Sequence, residues 1–123
     1  MPLSGDEGTI VGSIARNPKD RMQMAVMTDP AMGKHAVTHY RVLERLGYVT
    51  LVECILETGR THQIRVHMGY IGHPLPADYL YHPEYDCFKR QPLHSLQLEF
   101  RHPVTDKSMC LLAPVPEDMC NAF

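Results

Sequence analysis

The sequence lacks any apolar run longer than a few residues, far short of the roughly 20 that a membrane-spanning helix needs, so no transmembrane segment is expected. No secretory leader is expected either, because Met1 to Gly8 is acidic and polar rather than basic and then apolar; this end is expected to be flexible. Its four cysteines, Cys54, Cys87, Cys110 and Cys120, form no Cys-x-x-Cys pair and no dense framework, which points to a reducing cytoplasm. Charge of one sign is missing as well. A formal net charge of -2 gives no global footprint for nucleic acid, although Arg16, Lys19 and Arg21, then Lys34, Arg41 and Arg45, then Arg60 and Arg65, are locally concentrated. On charge alone they read as a solvated surface of mixed sign.

What is present fits one globular domain over residues 1–123. The chain is 44% hydrophobic and 21% charged, with no low-complexity tract, which excludes global disorder. Ten prolines and eight glycines cut it into short elements. Thr9 to Ile14 and Met22 to Met27 read as strands around an Arg16–Asp20 turn. Ala36 to Arg45 alternates, and a Leu46-Gly47 turn leads into Tyr48 to Glu57, apolar on both faces and so expected to be central in a sheet. Ile64, Met68 and Ile71 then recur at helical spacing, with Thr61 as the expected N-cap and Gly72-His73-Pro74 as the stop. Gly69 interrupts this helix and suggests a close backbone approach. Residues 73–93 read as a long loop. His94 to Phe100 and Ser108 to Ala113 form a second hairpin, and Pro116-Glu117-Asp118 opens a last short helix. The fold class is therefore α+β, a mostly antiparallel sheet with one main packed helix.

Eight histidines invite a metal, but His62 and His67 stand five apart, which splays them by about 140° on a helix, and no zinc spacing occurs. No cysteine has an assignable histidine partner for nucleophilic chemistry. The chemically dense stretch is Leu56 to His67. It puts Arg60, Thr61, His62, Gln63 and Arg65 at a strand-to-helix junction, where free N–H groups and the helix dipole attract a carboxylate or phosphate. The alternative is that Arg60 and His62 are solvated cap residues and Arg65 makes a local salt bridge.

These residues resemble a known family. The run LETGRTHQIRVHM followed by YIGHPL is similar to the third motif of RluA-type RNA pseudouridine synthases. RNPKDRMQMAV, GKHAVTHYRVLERL, YVTLVEC, RQPLHS, HPVT and APVPEDM resemble further family segments in family order, so the likeness covers nearly the whole chain. The family's first motif, His-Arg-Leu-Asp with the catalytic aspartate, is absent, as is the second, a Tyr-x-Ala strand; Tyr40 belongs to a later strand. After GHPL the family reads Gly-Asp-x-x-Tyr-Gly, whereas here Ala77-Asp78-Tyr79-Leu80-Tyr81-His82 stands, with an insert shortened before Phe88. The chain is thus expected to be the C-terminal portion of a pseudouridine synthase catalytic domain.

The resemblance implies isomerisation of uridine to pseudouridine in ribosomal or transfer RNA, with ribosomal RNA as the expected partner and no cofactor, metal or membrane. It implies that Arg65 pairs with the catalytic aspartate and that Ile64 lines the uracil pocket, with Arg60, His62 and Gln63 on the substrate side. With that aspartate missing, Arg65 is expected to be uncompensated in a site open to water or filled by an anion, and the chain alone to be inactive. Exposed sheet surface is expected to drive self-association. The alternative function is a non-catalytic RNA-binding remnant using Arg60, His62, Arg65, Lys89 and Arg90 against phosphates.

Overall fold

The computed structural model describes residues 5–45, 49–78, 80–81 and 90–122. They divide into two compact units, 1–91 and 92–123. The first holds strands β1 (Glu7–Val11), β2 (Ser13–Arg16) and β3 (Met24–Met27), a 3-10 turn (Pro30–Met32), β4 (Val37–Arg45), β5 (Thr50–Leu56) and helix α1 (Gln63–Tyr70). The second holds β6 (Gln97–Arg101), β7 (Ser108–Leu112) and α2 (Glu117–Ala122). Sheets that are antiparallel throughout, with one main helix packed on those of the first unit, make this the expected α+β class. Among the described residues no helix is long and apolar enough to cross a membrane.

In the first unit β1, β4 and β5 form a sheet in that order, all antiparallel. The strand expected at the centre is therefore at an edge. Its partner β4 is central, because β1 occupies the other side of β4 with Ile10 opposite Thr38 and Gly8 opposite Tyr40. Glu7 and Gly8, counted with the flexible end by sequence, are part of this pairing. Leu46 and Gly47, the expected turn, lie outside the described residues. The register of β4 on β5 slips at Leu43, which bends the strand.

Alternation explains the two faces of this sheet. Ile10, Tyr40, Val42 and Val52 point to one side and enclose Met68, Ile64 and Ile71, the apolar stripe of α1, together with Leu75. The opposite face is wet. There Thr9 Oγ1 meets His39 Nδ1 at 2.9 Å, His39 Nε2 meets Glu57, and Arg41 reaches Glu53 at 3.1 Å.

Gly12 is where the chain leaves β1 to begin β2. A methyl group there would stand 2.9 Å from Val26 Cγ1, so any larger residue forces the valine side chain to shift. β2 and β3 then form a hairpin whose inner residues, Ile14, Met24 and Val26, make a second apolar cluster with Ala36, Val66 and Tyr81. Helix α1 lies against both clusters, so its residues from Gln63 to Met68 are buried on more than one face, apart from Ile64.

The end of α1 follows the sequence. Gly72 adopts φ +88°, its N–H bonds Gly69 O at 3.0 Å, and His73 N–H reaches back to Met68 O at 2.8 Å, a Schellman closure ahead of Pro74. The start does not. Thr61 is not the N-cap; His62 is, at φ 54° in the left-handed region, and no side chain caps the helix from that position. Gly69 is a second departure, since it is exposed and nothing stands within 4 Å of where its Cβ would be. With no close approach to preserve, Gly69→Ala is expected to raise stability by up to about 1 kcal/mol, read as a higher urea midpoint.

The second unit is a hairpin with Leu98 opposite Leu111 and Phe100 opposite Met109. Its turn is closed by His102 N–H to Lys107 O at 2.8 Å and by Arg101 on Asp106 at 3.1 Å. Glu117 and Asp118, in the first turn of α2, complement the helix dipole.

Candidate functional site

Arg65 projects from the first turn of α1 into the interior, 8% exposed. There its planar fork grips Asp78 with two parallel bonds, Nε to Oδ2 and Nη2 to Oδ1, each 2.8 Å. Asp78 is completely buried. Its Oδ1 also accepts the amides of Leu80 at 3.2 Å and Tyr81 at 3.3 Å, so one carboxylate both neutralises the arginine and shapes the loop. This overturns the expectation that Arg65 lacks a counter-charge within the chain and sits in an open or anion-filled site. A guanidinium withdrawn from water needs a carboxylate beside it, and the turn at Gly72, with Leu75 anchored on the core, brings one from thirteen residues further on.

Tyr81 completes the enclosure. Its ring centroid is 5.0 Å from Arg65 Cζ, a cation–π contact, and its hydroxyl accepts Met24 N–H at 2.8 Å. That hydroxyl then donates to His62 Nδ1 at 3.0 Å, and the two rings meet edge to face at 5.8 Å. The left-handed backbone of His62 is held in part by this bond.

The electrostatics follow from the packing. Burial pushes the Asp78 carboxyl up, but the hydrogen bond and charge of Arg65, aided by the Leu80 and Tyr81 amides, outweigh it and hold the group below its ordinary value. Burial lowers His62 first, and the positive charges of Arg65 and Arg16 lower it further against a partial offset from Asp78. His62 therefore faces the arginine as a neutral imidazole at pH 7. Burial, only partly opposed by the Met24 amide and Arg65, raises Tyr81 and keeps its hydroxyl protonated.

Gln63 lies behind this cluster, 3% exposed, with its amide fully engaged. Oε1 accepts Thr58 Oγ1–H at 2.8 Å and Arg60 N–H at 2.9 Å, and Nε2 donates to Val37 O and Thr38 Oγ1, both at 3.0 Å. Thr38 Oγ1–H donates in turn to His67 Nδ1 at 2.8 Å, and His67 Nε2 donates to Gly12 O at 3.0 Å. Here Gln63 fixes the junction from within. Ile64 is half-buried in the apolar cluster around Ile10 and Met68. Arg60 is exposed, its Nε on His35 O at 2.9 Å. Arg90 is exposed and donates to Gln91 O, while Lys89 lies outside the described residues.

Asp78 and Tyr81 are the members that sequence reading missed. The signal was there, because Asp78-x-x-Tyr81 keeps the spacing of the family's Gly-Asp-x-x-Tyr-Gly. The departures are at the two glycines, replaced by Ala77 and His82; Ala77 adopts φ 58°, a conformation that glycine takes without strain. The backbone requirement persists although the residue differs. Among the described residues no three His, Cys, Asp or Glu side chains converge to hold a metal ion. Burial, then the charge of Glu53, pushes the Cys54 thiol up and makes it a poor nucleophile.

Comparison with known proteins bears on the same segment. The sequence profile described as RNA pseudouridylate synthase matches residues 3–70. The chain is 54% identical over 118 residues to the uncharacterized RNA pseudouridine synthase YlyB of Bacillus subtilis, covering 95% of this chain and 38% of that protein. It is 46% identical over 127 residues to ribosomal large subunit pseudouridine synthase D of Xylella fastidiosa, covering 92% of this chain and 38% of the relative. The chain thus spans well under half the length of these curated relatives. Among solved structures, human RNA pseudouridylate synthase domain containing 4 superposes with a TM-score of 0.66 at 21% identity, over 95% of this chain and 55% of that one, a likeness of fold. With more than half of its length matched by the family profile and the third-motif arginine seated on α1, the chain belongs to the RNA pseudouridylate synthases, as a member of the RluA type.

Proposed function

We propose that this chain contributes the arginine-bearing side of a site that isomerises uridine to pseudouridine in RNA, ribosomal RNA being the substrate. The observation that carries the reading is the Arg65–Asp78 fork, buried beneath Tyr81 and beside a neutral His62. Relatives that are 42–47% identical and named ribosomal large subunit pseudouridine synthase D support the choice of RNA. The free thiols Cys54 and Cys110 support a reducing compartment such as the cytoplasm.

The reaction breaks the N1–C1′ bond of uridine, turns the uracil and forms a C5–C1′ bond, the C5 hydrogen leaving as a proton and N1 gaining one, after the base has been taken out of its stack. It needs an ionised carboxylate at the ribose. A guanidinium 4–6 Å away keeps such a carboxylate charged, lowering its pKa by about 1–3 units. Asp78 fixes the plane of that guanidinium and, being wholly buried, acts on the reaction only through Arg65. Ile64 is proposed for the apolar side of the uracil, and Arg60 and His62 for the RNA side.

The 123 residues contain no His-Arg-Leu-Asp, so on their own they are expected to release no tritium from RNA labelled at uridine C5. A second polypeptide carrying the first and second motifs should restore release, and Arg65→Met should cut the restored rate by about 100-fold or more. Turnover by the chain alone would refute the predicted silence. Equal rescue by a folded Arg65→Met chain would remove Arg65 from the chemistry.

A further inference from the structure

We infer that a cleft of about 490 Å³ in the first unit is a track for the phosphodiester backbone of single-stranded RNA, with Arg16, Lys34 and Arg60 as its phosphate contacts. The inference rests on the reading of RNA as substrate and adds where the strand runs. Three separate segments build the cleft: the end of β2 at Arg16, the Gly33-Lys34 bridge onto Ile14, and the Gly59-Arg60-Thr61 approach to α1.

Its charge is one-sided, since no carboxylate-bearing residue lines it. Arg41, Arg45, Arg65 and Arg101 each sit on an aspartate or glutamate. Arg16 and Arg60 are held instead through backbone carbonyls, those of Arg21 and His35, and Lys34 has no carboxylate partner among the described residues. A carbonyl fixes a guanidinium in place while leaving its positive charge uncompensated. Three such charges around one concavity repel one another, an arrangement that an anionic strand relieves.

The apolar part of the lining, Met24, Ala31 and Met32, suits a nucleoside rather than a bare ion. Met32 is 65% exposed and offers a polarisable thioether to a base face. The cleft also leads toward the proposed site: Thr61 in its wall precedes His62, and the charge of Arg16 acts on that imidazole. A strand lying here would bring its phosphates past the mouth of the Arg65 cluster.

The test is binding of a fluorescent uridine-containing RNA of about ten nucleotides to the full 123-residue chain across a salt series. Three single-strand phosphate contacts contribute about -2 to the slope of log affinity against log salt. Lys34→Gln should make the slope shallower by about 0.7, and the combined Arg16→Gln, Lys34→Gln, Arg60→Gln variant by about 2. Lys107→Gln in the second unit should change nothing. The urea midpoint of Lys34→Gln should not fall, because that ammonium makes no bond to the rest of the fold among the described residues, and the triple variant, which also gives up the bonds to Arg21 O and His35 O, is compared as folded protein. An unchanged slope in the triple variant, or no salt-dependent binding by the wild type, would overturn the track. So would inorganic phosphate competing as well as RNA at equal phosphate concentration. Tritium release in the reconstituted system judges the Arg65 reading separately, so either idea can fail alone.

Discussion

Asp78→Ala is expected to destabilise the first unit by about 3–5 kcal/mol, enough to unfold a domain of marginal stability. The fork on Arg65 would be lost while the guanidinium stayed buried, and the Tyr81 ring is a weak substitute, worth roughly 2 kcal/mol at best. Leu80 and Tyr81 would lose the acceptor for their amides, which loosens the tyrosine that supports His62. Removing both charges is a different case. The pair Arg65→Met with Asp78→Leu is expected to recover most of the loss, since an apolar pair of similar volume leaves no buried charge without a partner. Far-UV circular dichroism during urea unfolding reads all of these variants. Single variants as stable as the wild type would show that the pair is not buried as described.

The same pair sets the response to acid. Asp78 has a folded-state value below its ordinary 3.8, so its contribution is complete above that value and is lost as pH falls through the folded one. Stability should therefore decline below about pH 4, and the Arg65→Met, Asp78→Leu protein should lack this part of the decline.

How legible these features were in the sequence depended on the distance over which they act. The alternation of Val37 to Arg45, the stripe of Ile64, Met68 and Ile71, and the stop at Gly72 are local, and each matches the structure. The order of the sheet is not local. β5 carries apolar residues on both faces and so resembled a central strand, but only the pairing of β1 with β4, some thirty residues apart, decides which strand lies inside. The start of α1 failed for another reason. A threonine before an amphipathic run is the usual cap, whereas here the Gln63 side chain holds the junction and His62 takes the strained position. The partner of Arg65 is hidden for a third reason, since it lies thirteen residues further on in a loop without periodicity. Its aspartate and tyrosine are in place, and the two flanking glycines are replaced by Ala77 and His82.

Gln63→Leu is the second change expected to have a large effect, about 3 kcal/mol or more. Leucine fits the volume but removes the Gln63 bonds to Val37 O, Thr38 Oγ1, Thr58 Oγ1 and the Arg60 amide, leaving the first three with one remaining partner each, Glu57 N–H, His67 Nδ1 and Val37 N–H. Thr38→Val attacks the same network from β4. It removes the acceptor for Gln63 and the donor for His67 Nδ1 in an otherwise isosteric side chain, at a cost of about 2 kcal/mol. Because both changes break one connected set of bonds, the double variant should lose less than the sum of the two, a coupling of about 1 kcal/mol in a urea-melt cycle. Strict additivity would show that the bonds act independently and that the junction is held by apolar packing alone. The consequence reaches the site: Gln63 lies two residues before Arg65 at the first turn of α1, so loosening it releases the register that seats the guanidinium on Asp78. A folded Thr38→Val chain should accordingly rescue tritium release less well than the wild type while its salt slope for RNA stays the same, since the charged groups of Arg16, Lys34 and Arg60 take no part in the network, which Arg60 joins only through its backbone amide.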